Sequence, residues 1–464
     1  MSILSILGVG NSGLRAASVG LETTGHNVAN VATEGFSRRS VNQSTSTPNN
    51  RNGLFIGRGV EVDNIERSID RFLGTRLVNA TGDGSESQIF YDTLAVAESV
   101  FDEGSSGSIS SKLSAFYDDL EAMTVDPSDA SLRREVVASG QSLSNTVNET
   151  GEFLVASIES IDSEIEEYLG TINGMLVEIA SYNNGIAGNG SDQLGAGDLL
   201  DSRDQLIVEL AELTGVTVDY QADGQATVFL GGHALVMESS SRELSIEVVS
   251  GIAEIKVETG SSVIDVTSFV GGEIGGLSGA QNEMADWLEQ LDTFVETFTD
   301  AFNAQHSSGF DATGAAGGDF FTYTAGPPAG DWTRSFAVDE SLVEDMDLLA
   351  AAGDSTASAG DADNLALLVD LQDSLMFASG TETSEEFMAG LYASVGKTVA
   401  VAEIEMESSA SQLSDLEMLR DSVSAVDMDE EGVALLQYQA AYEASSKVIQ
   451  VANQMLDELM DLVR

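Results

Sequence analysis

Three histidines, His26, His233 and His306, are the only imidazoles in the chain, and no two of them stand at a metal-binding spacing. Cysteine is absent, so thiolate nucleophiles, thiolate metal ligands and disulfides are all excluded. No phosphate-cradling loop ending in Gly-Lys-Ser/Thr, no Gly-x-Ser-x-Gly elbow and no dinucleotide-binding unit is legible. Asp201 and Asp204 are spaced to share a cation. With 77 acidic residues in 464, however, close carboxylates arise by chance, and a solvated helix face with an Arg203 ion pair accounts for the pair. Gly231-Gly232-His233 reads as a turn between strands. The expectation is therefore no catalytic residue, no metal and no cofactor. A carboxylate-pair hydrolase in the β-rich part is the remaining enzymatic alternative, which a turnover screen would reveal.

The residues that do recur with regular spacing are apolar. From Ile3, the positions Leu7, Gly10, Leu14, Ala17, Leu21, Thr24, Val28 and Val31 follow in alternating steps of three and four, a coiled-coil seam. Leu435, Tyr438, Tyr442, Ser445, Ile449, Ala452, Leu456, Leu459 and Val463 repeat the rhythm at the other end. A helix of about thirty residues is roughly 45 Å long, and neither terminal stripe has a core of its own, so each is expected to cover the other. Gly10, Ala17, Thr24, Ser445 and Ala452 make that seam shallow, which predicts ends that order on assembly. The same pattern also fits an ordinary hairpin of terminal helices inside one globule.

Charge divides the chain. Its formal charge is −58, yet residues 1–80 hold eight Arg against six acidic residues, so the acid lies on the remainder. Such a body repels nucleic acid and anionic membranes, and no run of eighteen apolar residues reads as a membrane span. Hydrophobic content of 42% means that most of the chain folds.

Between the ends, residues 40–70 read as short extended pieces. Helical stripes follow: Phe90, Leu94, Ala97 and Phe101; Ile109, Leu113, Phe116, Leu120 and Met123; then Ile158 to Tyr182, on a helix expected to start at the Asp126-Pro127 cap. From Gly215 the period changes to two. Val216 to Leu230 and Leu244 to Val257 describe two hairpins, turning at Asp223-Gly224 and Ser250-Gly251. Helical rhythm resumes at Met284 and, after a Gly- and Pro-rich stretch, from Asn364 to the C-terminal seam, whose helix is expected to open at a capping box of Asp427 and Glu430. The fold class expected is mainly α with a β insertion. Residues 1–36 and 427–464 form a paired terminal coiled-coil domain, 37–210 and 277–426 a discontinuous helical body, and 211–276 a small outer β domain.

Gly25-His26-Asn27-Val28-Ala29-Asn30-Val31-Ala32-Thr33-Glu34-Gly35-Phe36-Ser37-Arg38 resembles the signature of bacterial flagellar axial proteins, and this version resembles the FlgK family of hook-associated proteins, which often has Tyr in place of Phe36. Ser114 to Asn148, Asp198 to Leu210, Phe302 to Asp311 and Leu435 to Ser445 are similar to further segments of that family, in the family's order. Asn27, Asn30, Thr33, Gly35 and Phe36 carry the motif. The resemblance implies termini paired near the axis of a tubular assembly and a structural role joining hook to filament. It also implies hook protein and the second hook-filament junction protein as neighbours, self-association into a ring or helical layer, uncleaved flagellar type III export to the extracellular flagellum, and an export chaperone on the C-terminal helix. A hook or rod axial subunit, or a secreted surface adhesin displaying residues 211–276, are the alternatives. Arg38, Arg39, Arg51 and Arg58 are expected to face an acidic neighbouring surface.

Overall fold

The computed structural model describes residues 3–51, 54–101, 107–189, 196–249, 252–260, 262–324, 330–356 and 360–462. Helix α1 (Ile3–Ala29) leads into the short strands β1 (Arg39–Thr45), β2 (Asn49–Arg51), β3 (Leu54–Ile56) and β4 (Val60–Arg67), of which β1 pairs with β4 and β2 with β3, both antiparallel. Asp70 then caps α2 (Arg71–Glu98), its carboxylate accepting from the N–H groups of Phe72 at 2.9 Å and Leu73 at 3.1 Å.

The body is built around α3 (Ile109–Thr124) and α4 (Ala130–Asn189). At 60 residues, α4 is roughly 90 Å long and gives the other elements one continuous support. It starts at Ala130, three residues later than its sequence suggests. Asp126 closes a turn by accepting from Ser128, and Asp129 accepts from the Ser131 N–H at 2.7 Å, so Pro127 lies in the approach and not at the first helical position. Buried Arg133 secures this end by donating to the carbonyls of Pro127, Met346 and Leu349.

Next come α5 (Ala196–Thr214) and the β part: β5 (Thr217–Tyr220), β6 (Ala226–Leu230), β7 (His233–Met237) and β8 (Ser240–Ser241) in one sheet, β9 (Leu244–Val249), β10 (Ile252–Glu258) and β11 (Val263–Asp265) in another. Period-two burial puts Ala226, Val228 and Leu230, then Ala253, Ile255 and Val257, on inner faces. The Ser250-Gly251 turn lies outside the described residues. Both sheets share the helices' core, and two asparagines of α4 pair with strand backbone: Asn183 exchanges two hydrogen bonds with Ala226 and Asn173 two with Leu244.

Helix α6 (Gly272–His306) returns through the centre, burying Met284, Leu288, Leu291, Val295, Phe298 and Phe302. Phe116 lies 5.3 to 5.6 Å from Phe302, Phe320 and Phe321, an edge-and-tilt packing that fixes the irregular chain after α6. That chain includes β12 (Phe321–Thr322), α7 (Asp331–Ser335), β13 (Ala337–Val338), α8 (Glu340–Glu344) and α9 (Asp363–Val369). A reciprocal Thr383–Glu386 capping box opens α10 (Ser384–Ser424), which runs along α2 and hands over to α11 (Met428–Leu462). The chain is thus mainly helical with a β insertion, and its first and last helices lie side by side.

Candidate functional site

Helices α1 and α11 run antiparallel. A Cβ at Gly10 would fall 2.8 Å from Ile449, one at Gly13 2.7 Å from Ser445, and one at Gly20 against the Tyr438 ring. The line of closest approach therefore runs through Gly10, Gly13 and Gly20, with buried Ala17 between them, itself in steps of three and four. Ile3, Leu7, Leu14, Leu21 and Val28 sit half-buried beside that line, and Val31 is exposed beyond the helix end. On α11, Leu435, Tyr438 and Ile449 are half-buried, whereas Tyr442, Leu456 and Leu459 are exposed; Val463 lies outside the described residues. Leu4, Val9, Val433, Leu436, Val451 and Met460 add to an apolar surface that the pair itself leaves open. The spacing Gly8-Val9-Gly10-Asn11-Ser12-Gly13 matches a dinucleotide fingerprint in letters. It lies inside α1 with no strand before it, and Gly10 and Gly13 serve helix packing.

The motif residues turn the end of α1 into β1. Buried Asn27 accepts from the Arg39 N–H at 3.0 Å and donates to the Arg39 carbonyl at 2.9 Å, as a neighbouring strand would. Asn30 donates to the His26 carbonyl and accepts from the Thr33 hydroxyl, closing the helix end. Gly35 has φ +72°, the left-handed region, and faces Gln205 on α5. The Phe36 ring lies between His26, 5.5 Å away, and the Arg39 guanidinium at 5.2 Å.

Beneath the turn, charges alternate: Asp198, Arg39, Asp201, Arg67, Asp204, Arg203. Arg39 bridges Asp198 and Asp201 at 2.5 and 3.0 Å, Arg67 bridges Asp201 and Asp204 at 2.8 and 3.0 Å, and Arg203 holds Asp204 at 2.6 Å. Burial works against the Arg67 charge, but Asp204 and Asp201 outweigh it and hold its pKa above the ordinary value. The two aspartates are therefore arginine partners, on a buried interface and not on a solvated face. Among the described residues no group of three or more His, Asp or Glu is arranged to hold a metal ion.

Arg38 forms a second node. Its N–H donates to the Ser424 carbonyl at the end of α10, while its guanidinium reaches Glu430 at 2.9 Å and Glu431 at 2.8 Å in the first turn of α11. The Glu431 hydrogen bond, against the cost of burial, holds the Arg38 pKa above its usual value. Asp427 caps α11 by accepting from Asp429 and Glu430, but the Glu430 side chain is spent on Arg38, so the reciprocal half of the expected capping box is not made. A cleft of about 860 Å³ opens between this elbow, the motif turn, the start of α2 and α5, with Phe36, Leu73, Leu200, Tyr220 and Arg420 on its walls. Arg38 and Arg39 thus serve internal contacts, and the side chain of Arg51 lies outside the described residues. His233 starts β7, and His306 is a satisfied core residue.

The two ends of the chain thus form one helical pair, braced by motif and ion network against a body made of its middle. A family model described as the flagellar hook-associated protein FlgK helical domain matches residues 94–321, and one described as the flagellar basal body rod FlgEFG protein C-terminal matches residues 420–462. The chain is 24% identical to flagellar hook-associated protein 1 of Escherichia coli K12, over 99% of this chain and all of the relative, and 27% identical to that of Bacillus subtilis 168, over 97% and 96%. The solved flagellar hook junction protein FlgK from Burkholderia pseudomallei has the same fold, with TM-score 0.68 and 16% identity over 75% of this chain and all of that one. In sequence along its whole length and in fold, the chain is similar to the FlgK family of flagellar hook-associated proteins.

Proposed function

We propose that this chain is a structural subunit of the bacterial flagellum that joins hook to filament and is needed for filament assembly. The observation that carries this reading is likeness to hook-associated protein 1 over essentially the whole chain, termini included. In this reading the terminal pair, 1–36 with 427–464, lies nearest the tube axis, the helical body outside it and the β part outermost. Hook protein and the second junction protein are its neighbours, and copies associate laterally into a ring or helical layer. Heterologous contacts of this kind build tubes. The apolar residues left open on α11 support both burial in the assembly and an export chaperone that covers them before uncleaved type III export.

Seam residues Ile3, Leu7, Leu14, Leu21, Val28, Leu435, Tyr438 and Ile449 hold the terminal pair in this reading. Replacing Leu14 and Leu21 by Asp abolishes incorporation while the helical body stays folded. Deleting the gene tests the role: complete hooks without filaments, and flagellin shed into the medium, are expected. The rod-type match at residues 420–462 favours one second reading, a rod or hook subunit, which missing hooks would establish instead. The adhesin reading has less support, since residues 211–276 share their core with α4, α5 and α6.

A further inference from the structure

We propose that Phe72, flanked by Arg71 and Arg76, is the anchor by which one copy of this chain docks on the acidic body of the next. Phe72 is 73% exposed in the first turn of α2, beside Ile69 at 37%, and its neighbours Ile69 and Arg71 line the cleft described above. An aromatic ring so placed buries little of its surface in its own fold. The Arg76 guanidinium lies 5.9 Å from the ring centroid, holding an apolar face and a positive charge together. Arg71 and Arg76 are both exposed, and among the described residues neither has a carboxylate within ion-pair distance. Arg38, Arg39 and Arg67, from the same segment, are all engaged internally.

The occupant follows from the charge map. Residues 1–80 are net positive while the rest of the chain carries the acid, so free arginines at the start of α2 are attracted to body surface that they do not reach within one molecule. A second copy supplies that surface. The contact is heterologous, patch against body, so it propagates from copy to copy, and aromatic plus arginine is the composition of energetic anchors in protein interfaces. It is separate from the α1–α11 seam. The inference rests on the self-association part of the proposed function and is independent of its hook and filament parts.

The test uses the purified full-length chain with p-benzoylphenylalanine in place of Phe72, photolysed at high concentration in ~0.15 M salt, where long-range repulsion between two acidic bodies is largely screened while close ion pairs persist. The expected product is an adduct of two chain masses whose partner peptide comes from the acidic body. Its yield falls away in about 1 M salt, where the screening length drops to ~3 Å, and falls at least about tenfold in R71E/R76E, where like charges are opposed. All three positions are exposed, so the variants keep their helical circular dichroism. No two-chain adduct, an adduct indifferent to salt and to the arginines, or one mapping to α1 or α11 would overturn the proposal. Failure of the hook-to-filament role shows separately, in the deletion phenotype.

Discussion

Asp201 touches two guanidiniums at once, Arg39 and Arg67, and is itself buried. Removing it strands two buried cations that only Asp198 and Asp204 then share. Breaking a buried ionic network by deleting one partner costs about 3–5 kcal/mol, so Asp201→Ala is expected to lower the unfolding free energy read from a urea titration by that order, whereas Glu167→Ala on the exposed face of α4 should leave it unchanged. His306 sets a pH dependence. Its Nδ1–H donates to the Gly318 carbonyl at 2.8 Å and its Nε2 accepts from the Ala350 N–H at 3.0 Å, an arrangement only the neutral ring can make. Burial lowers its pKa. The unfolded chain therefore binds the extra proton first as pH falls, so the stabilisation is present above the unfolded value of about 6.5 and is lost below it. Unfolding followed from pH 7.5 to 5.5 should show a loss of up to ~1.4 kcal/mol per pH unit that is absent from the slope of His306→Gln. Equal slopes in the two proteins would place the titration elsewhere.

Helices α10 and α11 meet at a three-residue elbow, Ala425–Asp427, and Arg38 ties the last carbonyl of one to the first turn of the other. Glu431 is 3% exposed at its side chain, so its pair with Arg38 is the part that salt screens least. Arg38→Ala should cost about 1–3 kcal/mol for the unsatisfied carboxylate and loosen the angle between the helices. The chain has no cysteine, so spin labels at Glu417→Cys on α10 and Gln439→Cys on α11 can read that angle directly. A narrow distance distribution should broaden on the substitution, and an unchanged width would mean that the elbow is held by something else. Much at this scale was legible, because stripes such as Ile109 to Met123 and alternations such as Ala253 to Val257 report burial directly. The apolar rhythm shares Gly10 and Ala17 with the line of closest approach, but hydrophobicity weights Leu14 and Leu21 where close approach selects their neighbours Gly13 and Gly20. Asn27 and Gly35 were found through family resemblance; no periodicity marks a side chain that mimics a strand or a glycine with positive φ. The ion network was hidden because its partners, Arg39 and Asp201, are 162 residues apart.

For the molecule as a whole, 19 basic residues cannot pair 77 acidic ones, so most carboxylates face water and one another. Two kinds of electrostatics then respond oppositely to salt. The Arg39, Arg67 and Asp201 pairs are nearly buried and are weakly screened, whereas repulsion among the exposed carboxylates is long-ranged and is screened strongly as the Debye length shortens from ~10 Å at 0.1 M to ~3 Å at 1 M. Repulsion has the larger share because it sums over every unpaired charge, and it opposes the compact state. Half-buried Glu86 and exposed Glu212 act in the same sense: partial desolvation raises both pKa values, with neighbours Asp83 and Glu273 adding to it, so their contribution is fullest below the unfolded value and is lost as pH rises through the folded one. Thermal unfolding at one fixed pH near 7.5 should therefore move up by roughly 5 °C or more between ~0.05 and ~1 M sodium chloride. The gain should shrink at pH 5, where part of the charge is already neutralised. A midpoint that stays level or falls with salt would mean that the ion pairs, and not the acidic surface, dominate the electrostatics of the fold.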